Sequence, residues 1–139
     1  MSGLTNPLTA FTKPWQAPSL EELAIKISQL GLDGVELAVR PGYQVEPENA
    51  AEALPRAAEI FDQANLRIES VASELSPRML QACAEARVPL LRTMIPVDPE
   101  RGYRASVAAF QKACRKLVPV LEATGVRVGV QNHCGKWGG

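Results

Sequence analysis

Three polar residues in a row, Gln131, Asn132 and His133, follow a short apolar segment near the end of the sequence. If residues 126–131 form a strand, its two-residue period places the side chains of Gln131 and His133 on one side of the strand end. His133 is the single histidine of the chain, and imidazole exchanges a proton near neutral pH. We therefore expect His133 to hydrogen-bond a substrate or to relay a proton. The alternative is a histidine that is satisfied locally by the glycine-rich tail.

Charged side chains also interrupt three of the apolar segments. Glu36 lies in GVELAVR, Arg92 in LLRTMIPV and Arg127 in VRVGVQ. In a strand, Glu36 faces away from its apolar neighbours Val35 and Leu37. We expect Glu36 either to contact the hydroxyl groups of a ligand or to form an internal ion pair with Arg92 or Arg127.

Further candidates lie where predicted strands end. Arg40 precedes a Pro-Gly turn, and its planar guanidinium could hold a phosphate or a carboxylate; Arg92 could do the same. Lys13 and Trp15 belong to the segment TKPW, where the indole ring could line a ligand pocket. The alternatives are a solvated loop arginine and a tryptophan packed at the rim.

Short apolar segments alternate with amphipathic stretches and predict five strands separated by four helices. Ser19 and Glu22 form a capping box at the start of the first helix, which Gly31 ends. Pro47 opens the second helix, and Pro55 predicts an interruption or a restart within it. The third helix is predicted to begin after the N-cap Ser76, and the fourth to span 103–124 with a bend at Pro119. The five strands are predicted at 8–13, 34–40, 67–73, 90–97 and 126–131.

Five strands joined by helical crossovers predict a parallel α/β sheet. A doubly wound open sheet could be complete with five strands, whereas a (β/α)₈ barrel takes about 250 residues. No glycine-rich dinucleotide motif or Walker loop is present. Segments 34–40 and 126–131 place charged residues opposite valines, and a sheet covered on both faces would have to bury those charges. The sequence therefore predicts a truncated (β/α)₈ barrel, a single domain over 1–139. Segment 67–73 does not show which side faces inward.

The composition narrows the function classes. The chain has 139 residues, is 46% hydrophobic, and carries 15 basic and 15 acidic residues. A balanced charge offers no attraction to nucleic acid or to an anionic membrane. No signal-peptide pattern and no run of about 20 apolar residues occurs, so we expect a cytoplasmic protein. Three cysteines, odd in number and far apart, favour reduced, packed thiols over disulfides or a zinc cluster.

The segments GLDGVELAVRPG and VGVQNHCG resemble the xylose-isomerase-like barrel superfamily. That superfamily includes sugar-phosphate isomerases and epimerases, tagatose-type 3-epimerases, hydroxypyruvate isomerases and endonuclease-four-type DNA repair enzymes. The resemblance implies metal-assisted proton transfer next to a carbonyl through an enediol-like intermediate, with Mn²⁺ or Mg²⁺ as the cofactor. It makes His133 and Glu36 the catalytic candidates. Substrate contacts are expected from Lys13, Trp15, Arg40, Arg92 and Asn132.

The metal site implied by the resemblance is incomplete in this sequence. In such enzymes a glutamate that ends strand five binds the metal, and Gln131 occupies that position here. Its amide oxygen can coordinate a hard cation but brings no negative charge and cannot abstract a proton. The remaining ligands, an aspartate, a histidine and a second glutamate, come from strands six to eight, which the sequence lacks.

Three functional hypotheses remain open. The first is a sugar or sugar-phosphate isomerase or epimerase that is incomplete in this chain. Its substrate would be a small sugar or sugar phosphate, and it would act as a homo-oligomer or with a complementing carboxyl-terminal half. The second is a metal-free sugar-binding or regulatory barrel, which Gln131 favours. The third is an inactive fragment of a split or interrupted gene, with its fifth strand exposed as an unprotected edge. Among the enzyme activities of the superfamily, DNA repair is the least favoured, because a net charge of zero and a single histidine fit poorly with a multi-metal phosphodiesterase that acts on a polyanion.

Overall fold

A computed structural model describes residues 6–135 as five strands that alternate with four helices. The strands are β1 (Thr9–Phe11), β2 (Gly34–Ala38), β3 (Arg67–Ala72), β4 (Leu90–Thr93) and β5 (Arg127–Val130). The helices are α1 (Leu20–Gln29), α2 (Ala50–Gln63), α3 (Pro77–Glu85) and α4 (Tyr103–Thr124). Every predicted element is present, and α4 has the predicted bounds. The strands are shorter than predicted, and the residues that follow them at their carboxyl ends form loops.

Local sequence signals explain most of the helix boundaries. The hydroxyl oxygen of Ser19 accepts from the Glu22 amide at 3.1 Å, and the Glu22 carboxylate accepts from the Ser19 amide at 2.8 Å, which completes the predicted capping box. The prediction for the second helix was wrong in two respects: α2 begins at Ala50, not at Pro47, and runs through Pro55 without a break. Pro55 removes the hydrogen bond to the carbonyl of Ala51, and because Ala51 is exposed, water can satisfy that carbonyl.

The strand order distinguishes the two candidate architectures. All neighbouring strands are parallel, and they follow one another in the order β1-β2-β3-β4-β5. Right-handed crossovers that always step in one direction place every helix on the same face of the sheet. Consistently, each helix packs against the next along the chain. A doubly wound sheet reverses its winding and is excluded, so the fold is of the (β/α)₈ type.

The hydrophobic core lies between the helix layer and the sheet. From the sheet, Val35, Leu37, Val71 and Leu91 are fully buried. The helices bury large side chains against them, namely Leu23, Ile27, Leu54, Phe61, Met79 and Leu80. We call the opposite face of the sheet, which none of the four helices in residues 6–135 covers, the inner face. The helix-covered face thus supplies the stability, and the inner face is left for polar groups.

Gly34 opens β2 at a point where two strands approach closely. A Cβ atom added at Gly34 would overlap the backbone carbonyl of Arg67 on β3. Only glycine fits such a contact. Gly34, the second glycine of the segment GLDGVE, is therefore required for the pairing of β2 with β3.

The two outer strands of the sheet, β1 and β5, each pair on one side only within residues 6–135. Near β5 the packing is thin: Ser106 and Leu117 are the only buried residues of the 22-residue helix α4, and Val130 is 47% exposed. No helix in the described part of the chain is long and apolar enough to cross a membrane.

Candidate functional site

Polar side chains of three neighbouring strands meet on the inner face. Glu36 of β2 aligns with Phe11 of β1 and with Ser70 of β3, and the segment after β5 brings Gln131 beside β4. Arg92 of β4 reaches across β3 toward β2. Because the strands are parallel, the same pattern of alternation delivers all of these groups to one face and toward one end of the sheet.

Arg92 joins the strands through three hydrogen bonds. Its Nε donates to Oε1 of Glu36 and its Nη2 to Oε2, both at 2.8 Å. Its Nη1 donates to the side-chain oxygen of Gln131. The Ser70 hydroxyl adds a bond to Oε1 of Glu36 at 3.1 Å. The side chains of Arg92 and Glu36 are 15% and 19% exposed, so this two-point ion pair is largely removed from water. The internal pair of Glu36 with Arg92 is thus the interpretation that the structure supports, while Arg127 is exposed.

Ser70 could not be assigned from sequence because of an irregularity in β3. Val35 of β2 pairs with Ile68, but Glu36 pairs with Ser70, so Glu69 is an extra residue without its own partner on β2. Such a bulge shifts the alternation of every following residue by one. This is why segment 67–73 showed no consistent sides.

Phe11 is the second residue that sequence reasoning missed. The guanidinium carbon of Arg92 lies 4.7 Å from the centroid of its ring, and that of Arg40 lies 5.6 Å from it. The face of an aromatic ring attracts a cation. One phenyl ring therefore helps to hold two guanidinium groups near the ends of β1, β2 and β4. An apolar residue in a strand gave no sequence signal for this role.

A cavity of about 1110 Å³ opens beside this network. Five of the predicted site residues line it: Lys13, Arg40, Arg92, Gln131 and His133. The opposite wall comes from the loop after β4 and from one face of α4, including Phe110 and Leu117. The cavity thus collects side chains from the carboxyl ends of β1, β2, β4 and β5, the end at which (β/α)₈ enzymes place their active sites.

Three predicted residues lie outside the cavity lining. Glu36 lies beneath it and acts on it through Arg92. Trp15 is half-buried against the hydrophobic core, as in the alternative of a ring packed at the rim. Asn132 is exposed and does not line the cavity.

His133 lines the cavity with an exposed side chain. Its Nδ1 lies 3.1 Å from the backbone carbonyl of Cys134. Since a carbonyl can only accept, Nδ1 is the donor, and Nε2 of the neutral ring remains an acceptor. The ring is thus held locally at one nitrogen and available at the other.

The donor groups of the described residues do not fit a divalent metal. No group of three or more His, Cys, Asp or Glu side chains comes together within residues 6–135. The side-chain oxygen of Gln131, the residue that the sequence resemblance pointed to as a metal ligand, accepts a hydrogen bond from the Arg92 guanidinium. A metal ion there would displace that bond and meet a fixed positive charge.

The two cysteines of the helices lie outside the cavity lining. Burial raises the pKa of Cys83 to about 12, and burial also raises the pKa of Cys114. Both belong to helices and neither lines the cavity. Cys83 is a packed side chain, as the sequence predicted, and Cys114 is half-buried, whereas Cys134 is exposed.

Comparisons with known proteins give matches in structure and none in sequence. No protein-family model matches the chain, and no curated protein matches its sequence. D-psicose 3-epimerase, solved in the presence of D-fructose, is similar over 95% of this chain and 54% of its own, with 11% identity and a TM-score of 0.69. A sugar phosphate isomerase/epimerase from Parabacteroides distasonis is similar over 96% and 53%, with 15% identity and a TM-score of 0.69.

A mannonate dehydratase from Streptococcus suis matches over 90% of this chain and 52% of its own, with 14% identity and a TM-score of 0.62. The chain therefore spans about half the length of the structures that it matches. At these identities the likeness establishes the fold alone, that of part of a (β/α)₈ barrel. The activity has to be argued from the residues of this chain.

Proposed function

We propose that this chain forms the substrate-binding part of a sugar isomerase or epimerase barrel, with its site in the cavity at the carboxyl ends of the strands. The observation that carries the proposal is the network in which Arg92 joins Glu36 and Gln131 beside a cavity of about 1110 Å³. Fixed donors and acceptors on one wall are what a ligand rich in hydroxyl groups requires.

The network leaves capacity for a ligand. Arg92 uses three of its five N–H groups on Glu36 and Gln131. The amide nitrogen of Gln131 is a donor with no assigned partner among residues 6–135. On the cavity wall, Ser73 has a buried hydroxyl that makes no hydrogen bond within the described chain. These groups can bond several sugar hydroxyls or a carbonyl oxygen.

Isomerisation moves a proton from a carbon next to a carbonyl, which requires a base at that carbon and positive charge near the oxygen. Among the groups on the cavity wall that can accept a proton, which include Glu74 and Asp98, we assign the base to His133, through Nε2. Glu36 is less suited to this, because both of its oxygens already accept from Arg92. We assign Glu36 the role of a positioning residue that orients the guanidinium, and Arg92 that of stabilising negative charge on the substrate oxygen.

Binding of D-fructose, measured by isothermal titration calorimetry, tests the proposal. His133→Ala and Gln131→Ala each change an exposed cavity residue, and we expect each to weaken binding at least about fivefold, since each removes a hydrogen bond worth about 1 kcal/mol. Gln111→Ala, exposed on α4 outside the cavity, is the matched control and should bind normally. Equal affinities for all variants, or no binding to the parent chain at millimolar sugar, would contradict the proposal.

A metal-free sugar-binding barrel is the second candidate function, favoured by the bond between Gln131 and Arg92. The two candidates differ in chemistry. An isomerase exchanges a C–H proton of D-fructose with D₂O, which ¹H NMR detects, whereas a binding protein does not. Binding unaffected by a chelator, without exchange in either the presence or the absence of Mg²⁺, would favour the binding protein.

A further inference from the structure

The loops after β1 and β2 are joined into one surface by side-chain hydrogen bonds. The Tyr43 hydroxyl donates to the Lys13 carbonyl at 3.0 Å, and Gln16 Nε2 donates to the Gly42 carbonyl at 2.8 Å. Gln44 Nε2 donates to the carbonyl of Trp15 at 2.8 Å. We call this pair of loops, residues 12–19 and 39–46, the platform. Because the bonds run between the loops, they hold the backbone that carries Lys13 in a fixed position relative to β2.

Lys13 and Arg40 project from this platform to the cavity, and both line it. The other two arginines of the lining are paired with acids: Arg92 with Glu36 at 2.8 Å and Arg101 with Asp98 at 3.4 Å. Within residues 6–135, no carboxylate lies within 4.0 Å of the charged groups of Lys13 or Arg40. Glu74 is the one other acid of the lining, so the cavity retains an excess of positive charge.

The environment of Arg40 makes its charge available to a ligand. Its side chain is half-buried, and its guanidinium lies 5.6 Å from the Phe11 centroid. The ring restricts the guanidinium without neutralising it. A partly dehydrated cation with a planar set of N–H donors gains more from an oxyanion than one surrounded by water.

We infer that Arg40 and Lys13 form a subsite for an oxyanion carried by the substrate, either a phosphate or a carboxylate. The inference rests on the proposed function and narrows it: the ligand is an anionic sugar, whose hydroxyl groups lie against Arg92, Gln131 and His133. Arg40 supplies bidentate hydrogen bonds, and Lys13 supplies a second charge from the neighbouring strand end.

Calorimetry with four probes tests the subsite: D-fructose, D-fructose 6-phosphate, D-gluconate and inorganic phosphate. We expect an anionic sugar to bind at least tenfold more tightly than D-fructose. Arg40→Gln should weaken binding of that anion about ten- to a hundredfold and leave D-fructose unchanged, because a hydrogen bond to a charged group is worth about 1.5–3 kcal/mol. Lys13→Gln should act in the same direction, and Arg40→Lys should retain part of the affinity.

Matched controls are Arg115→Gln and Lys26→Gln, which remove exposed charges outside the cavity. If they weaken anion binding as much as Arg40→Gln and Lys13→Gln, the effect is one of overall charge and the subsite is wrong. Circular dichroism of Arg40→Gln and Arg40→Lys shows whether each variant is folded, and a folded Arg40→Gln that binds the anions normally refutes the subsite.

The probes separate the two proposals. Tight binding of D-fructose 6-phosphate supports a phosphate, and tight binding of D-gluconate supports a carboxylate. If D-fructose binds and neither anion binds more tightly, the subsite is wrong while the sugar-binding function stands. If inorganic phosphate binds in an Arg40-dependent manner and no sugar does, the proposed function is wrong while the subsite stands. Binding of none of the four contradicts both.

Discussion

Replacing Arg92 by methionine should destabilise the protein considerably, because the change leaves a carboxylate largely buried without its partner. The side chain of Glu36 is 19% exposed, and after the substitution it retains only the hydrogen bond from Ser70 among those described. Removing one partner of a buried ion pair costs about 3–5 kcal/mol. Since the inner face is partly open to water, we take the lower end, about 3 kcal/mol. For a chain of this length that corresponds to a fall of about 10 °C in Tm.

Urea unfolding followed by circular dichroism measures this cost, and a double-mutant cycle isolates the pair. Glu36→Met should also destabilise, but the double variant should cost less than the sum of the single variants by about 2 kcal/mol, because neither charge is then left alone. The pair Arg87 and Asp62 provides the control: its N–O distance is 2.6 Å, but its side chains are 78% and 45% exposed. Breaking that pair should cost at most about 1 kcal/mol.

A cost of less than about 1 kcal/mol for Arg92→Met, with a cycle that is additive within about 0.5 kcal/mol, would refute this role of the ion pair. The pair would then behave as a solvated one, and it could not fix the position of the guanidinium beside the cavity.

Three further predictions concern the strands, the thiols and the sheet edge. Gly34→Ala should lower the free energy of unfolding by about 2–3 kcal/mol, because the added methyl group overlaps the Arg67 carbonyl. The control is Gly129→Ala, whose Cβ would lie at an ordinary contact distance of 3.5 Å from its nearest atom; it should cost less than about 1 kcal/mol in the same urea experiment. Cys134 is exposed and should react rapidly with a disulfide reagent at pH 8. Burial raises the pKa of Cys83 to about 12, so Cys83 should react only after unfolding. Equal rates for the two thiols would contradict this prediction and would show that α3 opens readily. Val130→Lys should reduce self-association in light scattering, because Val130 is 47% exposed on β5, whose outer edge pairs with no strand of residues 6–135, and lysine protects such edges. An unchanged particle size would mean that β5 takes no part in association.

Much of this fold follows from the sequence, because most of the helix boundaries carry local signals. Ser19 with Glu22 and Gly125 after α4 act through contacts within a few residues, and such contacts do not depend on the rest of the chain. The pairing of Glu36 with Arg92 was also accessible, since two opposite charges on the same side of buried strands must find partners. The fold type followed from the same alternation and is confirmed by the strand order.

What could not be predicted depends on contacts between distant segments. The bulge at Glu69 arises from the pairing of β3 with β2, and it changes which side of β3 Ser70 occupies. The role of Phe11 depends on where two arginines from other strands come to lie. Whether Lys13 or Trp15 would face the cavity depended on the conformation of the platform, which is set by the side chains of Gln16, Tyr43 and Gln44.

The extra residue in β3 has a consequence for how this strand can change in length. Glu69 has no counterpart on β2, so deleting it would restore a regular ladder while Ser70 still meets Glu36 and Val71 still meets Leu37. Deleting Ser70 instead would bring the carboxylate of Glu69 opposite that of Glu36. Position 69 is therefore the point in this strand at which one residue can be lost without moving side chains from the helix-covered face to the inner face.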